Sequence, residues 1–138
     1  MSSPRRPIRG YLDLEVWQRA MDLVVQCYRV TRSFPANERY GLTAQARRAA
    51  VSVPSNIAEG RGRRGLGDFL RHLAIANGSV TELETQLQIS VRLGYIAEDD
   101  ARAILRTCGE VGRLLAGLVR SLSRRRASPD TRYSVPDS

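Results

Sequence analysis

Arginines carry most of the chemistry that this sequence could perform. At 3.6 residues per helical turn, five arginines near the carboxyl end fall within a strip about 40° wide that runs about 33 Å along the helix axis. They are Arg102, Arg106, Arg113, Arg120 and Arg124. The planar guanidinium group suits phosphate because it donates two parallel hydrogen bonds. The strip is therefore either a solvated helix face or a ridge that binds a polyanion, and Glu110 is the acidic residue that interrupts it.

A second group of arginines lies in a glycine-rich segment, residues 60–67. Its basic members are Arg61, Arg63 and Arg64. The segment lacks both the preceding strand and the Gly-Lys-Ser/Thr ending of a phosphate-binding P-loop, so we do not expect nucleotide binding there. It is either a solvated turn or a flexible basic loop that contacts the backbone of a nucleic acid.

The charge balance of the whole chain also favours an anionic partner. The formal net charge of the 138 residues is +8, and arginine supplies the positive side chains because the chain contains no lysine. Such a protein attracts RNA, DNA or an anionic membrane surface. The sequence has neither a signal peptide nor an apolar stretch long enough to span a bilayer. We therefore expect a cytoplasmic protein with no membrane partner.

Residues that could support catalysis or hold a metal are few. Glu59, Glu82 and Glu84 are the carboxylates worth considering, but no histidine or nucleophile converges on them, and Glu82 points away from Glu84 on a helix. Two cysteines and one histidine cannot form a zinc site or a disulfide framework. Both cysteines fall on apolar helical positions and are expected in the core. We expect no catalytic residue, no cofactor and no metal.

Four helices joined by short connections are predicted to position the arginines. No stretch alternates with the period of a strand, which favours an all-α, antiparallel up-down-up-down four-helix bundle. The first helix is expected to begin with Asp13 as its N-cap, and the third to run from about Asp68 to Leu93. The bundle is assigned to residues 13–123, between a disordered basic arm, residues 1–12, and a disordered basic tail, residues 124–138.

The second helix carries an apolar stripe and a polar stripe side by side. A similar polar stripe follows the third helix, so we expect a semi-buried hydrogen-bond network between the two helices. Its predicted members are Gln45, Ser52, Asn56, Glu59, Asn77 and Glu84. Pro54 interrupts the pattern but leaves both stripes in phase, which favours one bent helix over two helices with Ser55 as the second N-cap.

The first helix has two apolar seams, which together cover more of its circumference than the arc of about 100° that an amphipathic surface helix needs. One seam contains Leu14, Trp17, Met21, Val24, Tyr28 and Thr31, and the second contains Val16, Ala20, Leu23, Cys27 and Val30. Either the helix lies deep in its own bundle or it also buries one face against another subunit. We expect the chain to self-associate through the second seam and neighbouring small residues.

Residues 13–96 also resemble a known family in several stretches that occur in the family's order. The similarity is carried by Tyr40-Gly41-Leu42, Gln45 and the ranges 13–18, 47–60, 78–84 and 93–96. These resemble the bacterial four-helix-bundle proteins encoded in intervening sequences of large-subunit ribosomal RNA genes. The fold is also similar to that of the accessory variability protein of diversity-generating retroelements, a basic pentameric ring that binds nucleic acid and a reverse transcriptase. The resemblance implies a ring of helical bundles, with a pentamer as the expected assembly.

The sequence thus predicts a non-enzymatic, oligomeric module that binds RNA or DNA phosphates through the arginines of the strip and of residues 61–64. The alternative is a protein-interaction scaffold that docks a partner such as a reverse transcriptase. In that case the arginines serve solubility or contact an acidic partner surface. Salt dependence of RNA binding distinguishes the two hypotheses.

Overall fold

The computed structural model of the protein describes residues 10–127 and contains four α-helices and no strand within that range. The helices are α1 (Glu15–Thr31), α2 (Leu42–Gly62), α3 (Leu66–Arg92) and α4 (Glu98–Ala127). Short 3-10 turns occupy Gly10–Asp13 and Ala36–Glu38. The all-α prediction is confirmed. Helix α4 continues past the predicted domain boundary at residue 123, whereas residues 1–9 and 128–138 of the predicted arm and tail lie outside the described range.

The four helices surround one apolar core. Helix α1 packs against α2 and α4, and α3 packs against the same two helices. Core side chains such as Leu23, Ile57 and Leu83 are fully buried. Both cysteines are free and lie in this core, as predicted. Burial raises the pKa of the Cys27 thiol to about 11 and that of Cys108 to about 12, so neither supplies a reactive thiolate near neutral pH.

The start of α1 differs from the prediction. Asp13 belongs to the preceding 3-10 turn, and Leu14 occupies the N-cap without a side-chain hydrogen bond. The Leu14 amide donates to the carbonyl of Tyr11 at 3.0 Å. Because the turn leads directly into the helix, the helix does not need Asp13 as a cap.

The assignment of the two α1 seams was wrong. The seam predicted to contact another subunit faces the core: Val16, Ala20, Leu23 and Cys27 are buried. In the other seam only Met21 and Tyr28 face outward, 39% and 41% exposed, whereas Thr31 is buried and Leu14, Trp17 and Val24 pack against the core. Val25, 47% exposed, lies beside Met21 and Tyr28 and completes an outward apolar patch of α1. Ala20 and Cys27 are small enough to let α1 approach its neighbours closely, whereas the larger Met21 and Tyr28 side chains lie outside. Periodicity alone cannot make this choice, because both seams are apolar.

Helix α2 runs unbroken through Pro54, which confirms a single helix. Pro54 is buried, and the helix ends at Gly62. Near this end α2 and α3 approach so closely that a Cβ placed at Gly60 would lie 2.6 Å from Cβ of His72 and 3.1 Å from Cδ1 of Phe69. Glycine is therefore required at position 60 by packing against α3, although its backbone is helical.

Alanine substitutions at Gly60 and Gly78 should change stability in opposite directions. Gly60→Ala should lower the free energy of unfolding by about 1–3 kcal/mol, because the α2–α3 contact must open. Gly78→Ala is the matched control: it lies within α3 with no atom within 4 Å of an added Cβ. Alanine is a better helix former than glycine, so Gly78→Ala should raise the free energy of unfolding by about 1 kcal/mol. Urea unfolding at one protein concentration measures both, and equal effects would contradict the packing at Gly60.

The α1–α2 and α3–α4 connections lie at the same end of the molecule. Gly94, with φ +79°, ends α3 in a Schellman motif, in which the Tyr95 amide donates to the carbonyl of Ser90 at 2.9 Å. The Tyr95 hydroxyl donates to Glu38 Oε2 at 2.9 Å, and Glu38 Oε1 accepts from the Leu42 amide at 3.0 Å. One carboxylate therefore joins both connections and satisfies an amide in the first turn of α2.

Glu38 should make the fold sensitive to acid. Its bonds to the Leu42 amide and the Tyr95 hydroxyl lower its pKa from the ordinary 4.5. A lowered folded-state pKa contributes stability above the ordinary value, and that contribution disappears as the pH falls through the folded-state pKa. Glu38→Gln should therefore be less stable than the wild type at pH 7 and approach it as the pH falls below about 4.5. Urea unfolding across this range measures the difference, and a constant difference at every pH would contradict the assignment.

Candidate nucleic-acid interface

The predicted arginine strip lies on the outer surface of α4. Its five members are exposed: Arg102, Arg106, Arg113, Arg120 and Arg124. The opposite face of α4 enters the core through residues such as Ile104, Cys108 and Leu115. Arg102 pairs with Asp99 at 3.2 Å. The other four form no ion pair with any residue in the range 10–127, so a row of guanidinium groups faces solvent.

Glu110, which interrupts the strip in sequence, is compensated by a residue from α1. Arg19 Nε donates to Glu110 Oε2 at 2.6 Å, while Arg19 Nη1 donates to Asp22 at 2.9 Å. The Arg19 hydrogen bond, together with the charges of Arg113 and Arg106, lowers the pKa of Glu110. Arg19 therefore pairs with both Glu110 and Asp22 and lies beside the arginine strip. Sequence analysis missed Arg19 because only the packing of α1 on α4 brings it there.

Two arginine side chains of the strip lie along the α4 backbone beside glycines, more closely at Gly109 than at Gly117. A Cβ at Gly109 would lie 3.3 Å from Nη1 of Arg113, and one at Gly117 would lie 3.8 Å from Nη2 of Arg120. Helix α4 contains no aromatic residue. Its outer surface therefore offers charge and close approach to a phosphate backbone, but no platform on which a base could stack.

The second predicted basic group lies beside the last turn of α4. Arg61 is half-buried and Arg64 is exposed, while Arg63 pairs with Glu59 at 2.6 Å. A Cβ at Gly67, in the first turn of α3, would lie 3.7 Å from Nη2 of Arg126. The α2–α3 connection and the carboxyl end of α4 therefore meet, so the second basic group lies near the end of the strip that contains Arg124.

A hydrogen-bond network joins α2 and α3. Only some of the residues that were predicted to form it take part. The Ser52 and Ser79 hydroxyls lie 2.8 Å apart. Asn56 Nδ2 donates to the Ser52 carbonyl at 2.9 Å and to its hydroxyl at 3.0 Å, which leaves Asn56 Oδ1 facing His72 Nδ1 at 3.1 Å. Since Oδ1 can only accept, His72 donates from Nδ1. Ser52 and Asn56 were predicted; Ser79 and the buried His72 were not.

The other predicted network residues lie elsewhere. Gln45, Glu59 and Asn77 are exposed, and Glu59 accepts a hydrogen bond from Arg63. Glu84 is half-buried on the side of α3 that faces α4, where its charge adds to burial in raising the pKa of Cys108. The stripe that contains Asn77 and Glu84 follows a different flank of α3 from the row of His72 and Ser79. The seven-residue spacing of His72 and Ser79 was the signal that could have identified the row facing α2.

Residues 10–127 contain no group of three or more His, Cys, Asp or Glu side chains that could hold a metal ion. None of the helices in this range is both long enough and apolar enough to cross a membrane.

The fold and the sequence together place this chain in a family. The chain belongs to the 23S rRNA-intervening sequence protein family, whose profile matches residues 12–117. It is also similar to a crystal structure of a protein of unknown function from the S23 ribosomal protein family of Bacteroides thetaiotaomicron. That comparison has a TM-score of 0.71 and 22% sequence identity and covers 76% of this chain and 95% of the other, so it supports the fold alone. None of the curated proteins compared with the chain matches it.

Proposed function

We propose that the protein is a non-enzymatic, oligomeric nucleic-acid-binding module whose α4 arginines contact the phosphates of RNA or DNA. The observation that carries this proposal is the row formed by Arg106, Arg113, Arg120 and Arg124, which are exposed and form no ion pair with any residue from 10 to 127. A row of unpaired like charges is repulsive in the free protein. A phosphate backbone relieves this repulsion and releases its own counterions.

The proposed contacts read the backbone rather than the bases. Helix α4 has no aromatic side chain. The guanidinium of Arg47 covers the Tyr28 ring at 4.5 Å, and Arg39 lies 5.5 Å from the Tyr40 ring, so two of the exposed aromatic rings already have cationic partners. Binding through phosphates alone is sequence-independent and strongly salt-dependent.

The proposed active form is a ring of antiparallel up-down-up-down bundles, with five subunits as the expected number. The approach of Arg126 to Gly67 and the Tyr95–Glu38 bond support the antiparallel order. The outward apolar patch of α1, where Met21 is 39% and Val25 is 47% exposed, is now the expected subunit contact. The pentamer and a connection with diversity-generating retroelements rest on the resemblance of the sequence. A ring would multiply the phosphate contacts of each subunit.

A scaffold that docks a protein such as a reverse transcriptase is the second candidate. The observation that favours it is the exposed apolar surface of α3, where Ile75, Ile89 and Leu93 are 41%, 43% and 54% exposed. Both candidate functions are compatible with the proposed cytoplasmic location. They differ in whether the isolated protein binds nucleic acid.

Fluorescence anisotropy with labelled RNA and DNA tests the proposed function. The purified chain is titrated into several hairpins of unrelated sequence at about 50 mM salt, where phosphate contacts are strong. We expect similar dissociation constants for all hairpins. Absence of binding would favour the scaffold, and a strong preference for one sequence would contradict recognition through the backbone.

A further inference from the structure

At the middle of α4, the Glu110 carboxylate is bound by Arg19 of α1 and has two further arginines on the adjacent turns of its own helix. Glu110 accepts from Arg19 of α1 at 2.6 Å. Arg106 and Arg113 are placed one turn before and one turn after Glu110 on α4, and their charges act on its carboxyl group. Arg19 is shared with Asp22, whose carboxylate lies at 2.9 Å. This arrangement resembles a phosphate site that is already occupied by an acidic side chain.

The Arg19–Glu110 pair is exposed enough for another anion to replace it. The side chains of Arg19 and Glu110 are 34% and 40% exposed. Ion pairs at such positions contribute little to stability, because water screens both charges. A phosphodiester carries the same charge as the carboxylate and also presents two oxygens to a guanidinium fork. Exchange between the two anions therefore requires no change in the core.

We propose that a phosphodiester group of the bound nucleic acid displaces Glu110 from Arg19 and is held by Arg19, Arg106 and Arg113. This inference rests on the proposed function and makes Arg19 a phosphate-binding residue. Glu110 then competes with phosphate for Arg19. It keeps Arg19 paired in the free protein and repels phosphate from the centre of the arginine strip. A ligand with many phosphates can displace the carboxylate, because its other contacts hold it in place.

Glu110→Gln tests the proposal, with Glu82→Gln as a control of equal charge. Glu82 is exposed on α3 and accepts a hydrogen bond from Gln86 at 3.1 Å. The wild-type complex must break the Arg19–Glu110 pair to hold this phosphate, so Glu110→Gln should bind duplex DNA about fivefold more tightly at 0.15 M salt. The log–log salt slope should stay the same, because both proteins make the same phosphate contacts. Glu82→Gln should change neither quantity appreciably. Equal changes in both variants would reduce the effect to net charge and overturn the proposal.

The double variant Arg19→Gln/Glu110→Gln locates the gain. If Glu110 acts by occupying Arg19, replacing Glu110 in the Arg19→Gln background should give no gain in affinity. Retention of the gain would overturn the role of Arg19. Wild-type protein that binds no nucleic acid would refute the proposed function and this inference together. Wild-type protein that binds, with Glu110→Gln binding equally well, would refute this inference alone. Circular dichroism should show the same helix content for every variant.

Discussion

Replacing Arg106, Arg113 and Arg120 with Gln is expected to weaken the binding of both RNA and duplex DNA. The loss of three phosphate contacts should weaken binding about 100-fold at 0.15 M salt. The magnitude of the log–log salt slope on duplex DNA should fall by about 2.7. All three side chains are exposed on the face of α4 opposite the core, so the variant should keep its fold. Anisotropy titrations over a salt series give the affinity and the slope, and circular dichroism checks the helix content.

The matched control removes three exposed arginines from other surfaces: Arg32, Arg48 and Arg92. It changes the net charge by the same amount, and we expect a much smaller loss of affinity because these residues lie outside the α4 row. An equal loss in both variants would mean that net charge alone drives binding. Unchanged binding by the α4 variant would show that the strip is a solvated face and would favour the scaffold.

Introducing glutamate at Met21 and Val25 should convert the assembled protein into a monomer. Both residues lie on the outward apolar patch of α1 and are 39% and 47% exposed in the single chain, so the variant should still fold. At a subunit contact the two charges would lose their water, which strongly disfavours association. Sedimentation equilibrium at micromolar concentration measures the mass. The loss of joined subunits should also weaken nucleic-acid binding, because fewer phosphates are contacted at once.

Two outcomes would contradict this assembly surface. The first is a wild-type protein that is already monomeric at micromolar concentration. The second is an unchanged mass for Met21→Glu/Val25→Glu. The pair Ile75→Glu/Ile89→Glu on α3 is the control, since these side chains are similarly exposed, at 41% and 43%. If only Ile75→Glu/Ile89→Glu produced a monomer, the subunit contact would lie on α3 and not on α1.

The helices could be predicted from the sequence because their signals are local. The heptad spacing of Ile104, Cys108, Val111 and Leu115 identifies the buried face of α4 without reference to any other helix. Gly94 marks the end of α3 because a positive φ suits glycine. The exposure of the arginine strip follows in turn, since it lies opposite the core residues of the same helix.

Contacts between helices could not be predicted in the same way. Periodicity shows that α1 has two apolar seams, but the choice between them depends on how closely Ala20 and Cys27 let neighbouring helices approach. The Ser52–Ser79 and Arg19–Glu110 bonds likewise depend on the rotation and axial position of one helix against another. A single helix pattern does not contain that information.

The most direct test of phosphate recognition is the salt dependence of binding by the wild-type protein. The dissociation constant for a duplex of mixed sequence is measured as the salt concentration rises from about 50 to 200 mM. We predict a linear log–log plot with a slope of magnitude about 2.7 or more, since three or more α4 arginines should each neutralise a phosphate. A slope near zero, or no binding at the lowest salt, would contradict nucleic-acid binding through the arginines of α4.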